Sequence, residues 1–190
     1  MQQEEIILFL SRGLHKRDRK IGDTIADVFK SCGYKVVTVG VEIVVPGNKI
    51  PEAVKESIKR SHAVVAVATR RYWDCTNANW RISEWIHSEV AMAYITEKPI
   101  VILKEKGVKL GGLLECLERE AKKQKSDTVR EFDPQNPQQI RKAALDAVEI
   151  VRTLIRERDS IRDPMSHLPN IAAGIITALI PVVLIKLADT

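Results

Sequence analysis

The chain has 190 residues, of which 45% are hydrophobic and 29% are charged, and its net charge is a modest +5. This composition is typical of an ordinary globular protein with a sizeable core. The basic residues are not interleaved with aromatic residues, which argues against specific binding of nucleic acid. The three cysteines lie far apart, which favours a reducing compartment and argues against disulfides or a structural zinc site.

Strand and helix patterns alternate along the chain. Apolar, β-branched runs predict strands at residues 6–10, 35–41, 63–68, 100–103 and 128–132. Helical spacing predicts helices at residues 19–32, 51–60, 84–98, 110–123 and 137–158. Five alternating pairs predict an α/β fold, namely a flavodoxin-like, open five-stranded parallel sheet with helices on both faces. The amino-terminal residues are acidic and lead directly into a strand, so we expect no signal peptide.

Three predicted loops follow the first three strands at the same edge of the sheet. They comprise residues 11–13, 42–50 and 69–79, and the helix that begins at Glu84 follows the third of them. Ligands of open parallel sheets bind at this edge. We therefore expect a cleft there, beside the helix.

This helix carries two glutamates with different expected environments. At about 100° per residue, Glu89 falls in the middle of an apolar face that includes Trp85, whereas Glu84 points the opposite way, towards solvent. A carboxylate on an apolar face is costly unless it is paired or opens into a cleft. The spacing leaves two interpretations open, a structural ion pair within the fold or a carboxylate that lines a ligand pocket.

Common motifs for phosphate, metal and nucleophile chemistry are missing from the sequence. It contains neither a GxGxxG nor a GxxxxGK[ST] motif, and its four histidines show no spacing typical of metal ligands. We predict no metal site and no bound cofactor.

The order of several short motifs between residues 4 and 158 resembles the TIR (Toll/interleukin-1 receptor) domain family. The first strand ends in a serine, Ser11, and the second leads to Glu42 and then to Pro46-Gly47. Residues 50–58 resemble the start of the family's second helix. Residues 85–89, WIHSE, resemble the Trp-x-x-x-Glu motif of NAD-cleaving TIR domains. Arg12-Gly13 stands where an aromatic residue commonly follows the serine, and the carboxy-terminal Phe-Trp motif of animal adaptors is absent.

The resemblance implies a prokaryotic-type TIR domain that cleaves the nicotinamide–ribose bond of NAD+, with NAD+ as its substrate. Glu89 corresponds to the family's catalytic glutamate, and the residues expected to bind substrate are Ser11, Arg12, Glu42 and Trp85. From the spacing alone, Trp85 is equally well explained as a core residue. Family members generally act as homo-oligomers, and many prokaryotic ones serve antiviral or stress defence, so both properties are implied here.

The loop around Pro46 and Gly47 is expected to take part in assembly or to gate the cleft. In this interpretation Gly47 supplies a backbone conformation that β-branched residues cannot reach. The alternative is an ordinary surface turn.

The carboxy-terminal segment is the most apolar part of the chain. Residues 171–185, which begin with Ile171 and end with Ile185, contain no charged side chain. We predict a TIR domain at 1–160, a linker at 161–170 and a hydrophobic helix at 171–188. The helix is expected to attach a cytoplasmic domain to the inner face of the membrane. A soluble helix used for self-assembly, or docking on the same domain, is the alternative.

Two other functions are compatible with the same residues. A catalytically silent TIR scaffold would signal by homotypic assembly and would leave NAD+ intact. An ADP-ribosyl cyclase or transferase relative would yield a different product. The sequence predicts neither the trigger nor the oligomer geometry.

Overall fold

The computed structural model describes residues 5–162, which form a parallel sheet covered by helices on both faces. The strands of this sheet are β1 (Ile7–Arg12), β2 (Lys35–Val37), β3 (Ala63–Ala68), β6 (Ile100–Glu105) and β7 (Val129–Phe132). Their order across the sheet is β2-β1-β3-β6-β7, and all neighbouring pairs are parallel. The predicted flavodoxin-like sheet is therefore confirmed.

The helices pack against the sheet in two layers. They are α1 (Lys16–Ser31), α2 (Ile50–Arg60), α3 (Glu84–Ile95), α4 (Gly112–Gln124) and α5 (Pro137–Arg162). Helices α1 and α5 share one hydrophobic core with one face of the sheet. Helices α2, α3 and α4 pack against the other face. The central strand β3 is buried along its whole length, as its continuous apolar sequence predicts for a strand covered on both sides.

The second strand is shorter than predicted because the chain turns immediately after Val37. Gly40 adopts a left-handed conformation with φ of 87°. The Thr38 hydroxyl donates to the Leu10 carbonyl oxygen over 3.0 Å, and the Thr38 N–H donates to the Glu42 carboxylate over 2.9 Å. These two hydrogen bonds hold Thr38 in a turn. The strand was predicted to be longer because the β-branched residues around Thr38 favour extended structure.

A small antiparallel hairpin, which the sequence did not predict, begins within the predicted loop at 69–79 and ends at Arg81. Its strands are β4 (Tyr72–Asp74) and β5 (Asn79–Arg81). Trp73 and Trp80 lie opposite each other, with their ring centroids 5.4 Å apart. Cross-strand aromatic pairs stabilise such hairpins. The sequence signal for this hairpin was the presence of aromatic residues on both sides of a polar turn.

The predicted hydrophobic helix at 171–188 and most of the predicted linker lie outside the described residues. Among residues 5–162, no helix combines the length and the apolar character needed to cross a membrane.

Candidate active site

A cavity of about 500 Å³ opens at the carboxyl end of β1. Its walls come from the segment after β1, from the segment between β2 and α2, from Arg71 beyond β3, and from the start of α3. Strands β2 and β3 flank β1 and connect in opposite directions across the sheet. Ligands of such folds bind at this switch point, so the cavity lies where the sequence predicted a cleft.

The lining of the cavity combines an apolar wall with a few polar groups. The apolar side chains are Leu14, Val39, Val44, Val45, Ile50, Val54 and Trp85. The polar ones are Arg12, His15, Asp18, Arg71, Ser83 and Glu89. Apolar clefts with a small number of convergent polar groups are typical of small-molecule sites.

Glu89 reaches the cavity from the second turn of α3. Ile86, Val90 and Ala93 on the same helix are buried in the core, whereas Glu89 is partly exposed and lines the cavity. Its Oε2 accepts a hydrogen bond of 2.5 Å from the hydroxyl of Ser11, a residue with no exposed surface. Among the described residues, no salt bridge to Glu89 is found. The geometry thus favours the pocket-lining interpretation over the structural ion pair.

The environment of Glu89 changes its acidity. Burial disfavours the charged carboxylate and raises the pKa of Glu89 from 4.5 to about 7, although the hydrogen bond from Ser11 lowers it. Near neutral pH the side chain is therefore divided between its charged and neutral forms. A carboxyl group with a strongly raised pKa in a cleft is a candidate for function.

Trp85 lies one turn before Glu89, at the rim of the cavity. Its side chain is 58% exposed, so the interpretation as a core tryptophan is wrong, and so is its placement on the buried face of the helix. On a helical wheel Trp85 lies about 100° from the buried Ile86, at the edge of the buried face of α3 and not in its middle. More than half of the Trp85 surface is therefore accessible at the rim of the cavity.

Glu84 lies on the solvent side of the same helix turn, as predicted. It is exposed, and it accepts a hydrogen bond of 2.5 Å from the hydroxyl of Tyr72 in the hairpin. It does not line the cavity. The two glutamates of α3 therefore differ in position as the spacing indicated.

The structure separates Arg12 and Glu42, which the resemblance placed together as substrate contacts. Arg12 lines the cavity, but its guanidinium group points towards α1, where it forms an ion pair of 2.6 Å with Asp23. Glu42 is not brought to the cavity. Its carboxylate binds the Thr38 N–H and pairs with Lys30 over 3.2 Å, so it holds the turn after β2.

The loop that contains Pro46 and Gly47 forms part of the cavity rim through its neighbours Val44 and Val45. Gly47 begins a short 3-10 turn (Gly47–Lys49). It does not have a positive φ, and a Cβ added to it meets no atom within 4 Å. The expected special conformation at Gly47 is therefore wrong, and a side chain at this position fits the loop.

Two carboxyl groups near the site were not singled out by the sequence analysis. Asp18, in the first turn of α1, is buried and lines the cavity. Glu105, at the end of β6, is fully buried and forms ion pairs with Arg17 of α1 and with Arg70 beyond β3. The sequence gives no signal for either, because acids are common at both the first turn of helices and the ends of strands.

The raised pKa of Glu89 predicts a pH-dependent stability. An unfolded glutamate has a pKa near 4.3, so the folded protein holds the proton more tightly and loses stability as the pH rises from about 4.5 to about 7. Glu89→Gln lacks this titration. Relative to that variant, the wild-type free energy of unfolding should fall by up to about 3 kcal/mol across this range. Urea unfolding of both proteins at pH 4.5 and pH 8 measures it, and a difference that is independent of pH would contradict the assignment.

Comparison with known proteins identifies the family. A family model described as the TIR domain matches residues 13–142, which is more than half of the chain. The chain belongs to the TIR domain family.

The solved structures that resemble the chain are distant in sequence. The CMP N-glycosidase BcmB of Clostridium botulinum is 14% identical, with a TM-score of 0.49 over 73% of this chain and 98% of that chain. The TIR domains of the activated Roq1 resistosome are 14% identical, with a TM-score of 0.40 over 81% of this chain and 99% of that one. No curated protein is significantly similar to the chain in sequence.

Proposed function

We propose that this TIR domain is an NAD+ glycohydrolase of the prokaryotic NAD-cleaving type and that Glu89 is its catalytic residue. The observation that carries the proposal is the position of Glu89. It is a carboxyl group in an apolar cavity, held by the buried Ser11 hydroxyl and placed one helical turn after an exposed tryptophan. Family membership supports the same assignment, because residues 85–89 match the Trp-x-x-x-Glu pattern.

The reaction that this arrangement supports needs one carboxylate and no proton donor. When the bond between the ribose C1′ and the nicotinamide nitrogen breaks, its electron pair neutralises the positive charge of the pyridinium ring. The leaving group therefore needs no proton. The ribose is left as an oxocarbenium-like centre, which a nearby carboxylate stabilises, as in glycoside hydrolysis. Water then adds to C1′ and loses a proton, which gives ADP-ribose.

The remaining parts of the cavity fit this role by their chemistry. Trp85 presents an aromatic face against which the nicotinamide ring can stack. The apolar wall lowers the local dielectric constant and so strengthens the electrostatic effect of Glu89. NAD+ is in this account the substrate and not a retained cofactor.

Incubation of the concentrated full-length protein with NAD+, followed by mass spectrometry, tests the proposal. Free nicotinamide together with ADP-ribose supports hydrolysis, and nicotinamide together with cyclic ADP-ribose supports a cyclase with the same Glu89 chemistry. Intact NAD+ over a range that includes self-assembled protein would contradict the proposal and favour a scaffold that signals by assembly. We further propose that activity requires homo-oligomers, in which case the rate per molecule rises with protein concentration.

We also propose that residues 171–185 attach the domain to the inner face of the cell membrane. A chain that ends at Pro164 should then lose membrane association, because burial of apolar groups in lipid stabilises by roughly 0.8 kcal/mol for each CH₂. It should also lose activity at dilute protein if membrane attachment holds the subunits close together. Fractionation of cells that express both lengths measures this. Full-length protein found wholly in the detergent-free soluble fraction would contradict it.

A further inference from the structure

The cavity contains a second carboxyl group whose role the proposed reaction does not explain. Asp18 is only 4% exposed, and it lines the cavity that Glu89 lines. Its Oδ1 has no hydrogen-bond partner among residues 5–162. A buried polar atom without a partner is costly and calls for an explanation.

Position in the helix does not explain why Asp18 is buried. An acid in the first turn of α1 is favourable because it complements the helix dipole, but a solvent-exposed acid has the same effect. Glu52 in the first turn of α2 is such an exposed residue. The burial of Asp18 beside the cavity therefore points to a hydrogen-bond donor on a ligand that binds in the cavity.

Gly13 makes the space that Asp18 occupies. A Cβ added to Gly13 would lie 2.5 Å from Oδ2 of Asp18, so any larger residue would displace the carboxyl group. Gly13 directly follows β1, two residues after the Ser11 that binds Glu89. The carboxyl groups of α1 and α3 thus approach the carboxyl end of β1 from opposite faces of the sheet, and both line the same cavity.

A carboxylate in this position selects hydrogen-bond donors and repels phosphate groups. A ribose offers hydroxyl donors, and acidic side chains recognise ribose hydroxyls in other nucleotide sites. We propose that Asp18 accepts a hydrogen bond from a hydroxyl of the same ribose whose C1′ faces Glu89. Asp18 then discriminates in favour of a ribose that carries this hydroxyl over its deoxy counterpart. This inference rests on the proposed function of the cavity.

Binding of nicotinamide riboside to the full-length Glu89→Gln protein tests the inference without turnover. Isothermal titration calorimetry gives the dissociation constant with and without Asp18→Ala. We expect Asp18→Ala to weaken binding by about 10-fold or more, since a hydrogen bond to a charged group is lost. Asp18→Asn should weaken it less, because the amide oxygen still accepts a hydrogen bond. Glu52→Ala, the matched acid in the exposed first turn of α2, should leave the dissociation constant unchanged.

Deoxy analogues of the riboside give a test that does not depend on the stability of the variants. One of the 2′-deoxy and 3′-deoxy ribosides should bind more weakly than the parent to protein that retains Asp18, and the loss should disappear in Asp18→Ala. Equal affinity of the parent riboside with and without Asp18, or no binding to any form, would overturn the inference. If Asp18-dependent binding occurs but NAD+ stays intact, the proposed reaction fails and the inference stands. If NAD+ is cleaved through Glu89 while Asp18→Ala changes neither KM nor affinity, the inference alone fails.

Discussion

Glu89→Gln is expected to lower the rate of NAD+ cleavage by about 100-fold or more, because it removes the charge that stabilises the cationic transition state. Glutamine keeps the size of the side chain and can still accept the hydrogen bond from Ser11. The variant should therefore fold, and at neutral pH it should be at least as stable as the wild type, since a desolvated acid is replaced by a neutral group. Release of nicotinamide under saturating NAD+ measures the effect on kcat.

Glu84→Gln is the matched control for this variant. It makes the same chemical change on the same helix, but Glu84 is exposed and contacts Tyr72 outside the cavity. Its kcat should stay within about twofold of the wild type, the range expected for a surface substitution. Equal losses in the two variants would show that the charge of α3 as a whole matters, and they would contradict the catalytic assignment of Glu89.

Glu105→Gln is expected to lower the free energy of unfolding by about 3 kcal/mol, the lower end of the range for removing one partner of a buried ion pair. The Glu105 side chain has no exposed surface. It pairs with Arg17, it pairs with Arg70 over 2.7 Å, and it accepts the Arg70 backbone N–H over 2.9 Å. The neutral amide leaves two guanidinium groups near each other without a counter-charge. Because both arginines are partly exposed, solvent offsets part of the loss.

Urea unfolding monitored by circular dichroism measures this effect. Glu120→Gln serves as the control, because Glu120 pairs with Lys123 on the exposed surface of α4, where solvent and salt screen the pair and its loss changes stability little. A loss below about 1 kcal/mol in Glu105→Gln, against the expectation for a buried pair, would show that the arginines find other partners. The ion pair with Arg17 joins the first turn of α1, which also carries Asp18, to the end of β6.

The positions of most sheet strands were predictable because these strands are short apolar runs between turn residues. Strand β3 is apolar at every position and was located at its observed bounds. Helix α5 begins at Pro137, as predicted, because proline is favourable at the first position of a helix. The hairpin at Tyr72–Arg81 was missed because its two strands have three residues each, too few for an alternating pattern to emerge.

The candidate site was predictable only in part. Spacing located Glu89 and separated it from Glu84, because one carboxylate in an apolar stripe conflicts with the pattern around it. Neither Asp18 nor Glu105 interrupts an apolar pattern in the sequence, so nothing there marks either of them as buried. Their burial depends on contacts with residues distant along the chain, such as Gly13 packing beside Asp18 and Arg70 beside Glu105, and no local pattern encodes these contacts. Gly47 shows the reverse error, since a Pro-Gly pair suggested a special backbone conformation that the structure does not contain.

The pH dependence of kcat/KM for NAD+ is the most direct test of the claim that the carboxylate of Glu89 drives cleavage. This parameter reports the ionisation of the free enzyme, so it should rise with pH and level off above the pKa of Glu89, about 7. The Ser11 hydroxyl lowers that pKa, so Ser11→Ala should move the midpoint to higher pH while the profile keeps its shape. A profile that is flat between about pH 5 and pH 9, a range that spans the titration of a group with this pKa, would contradict the account, as would a midpoint that Ser11→Ala leaves unchanged.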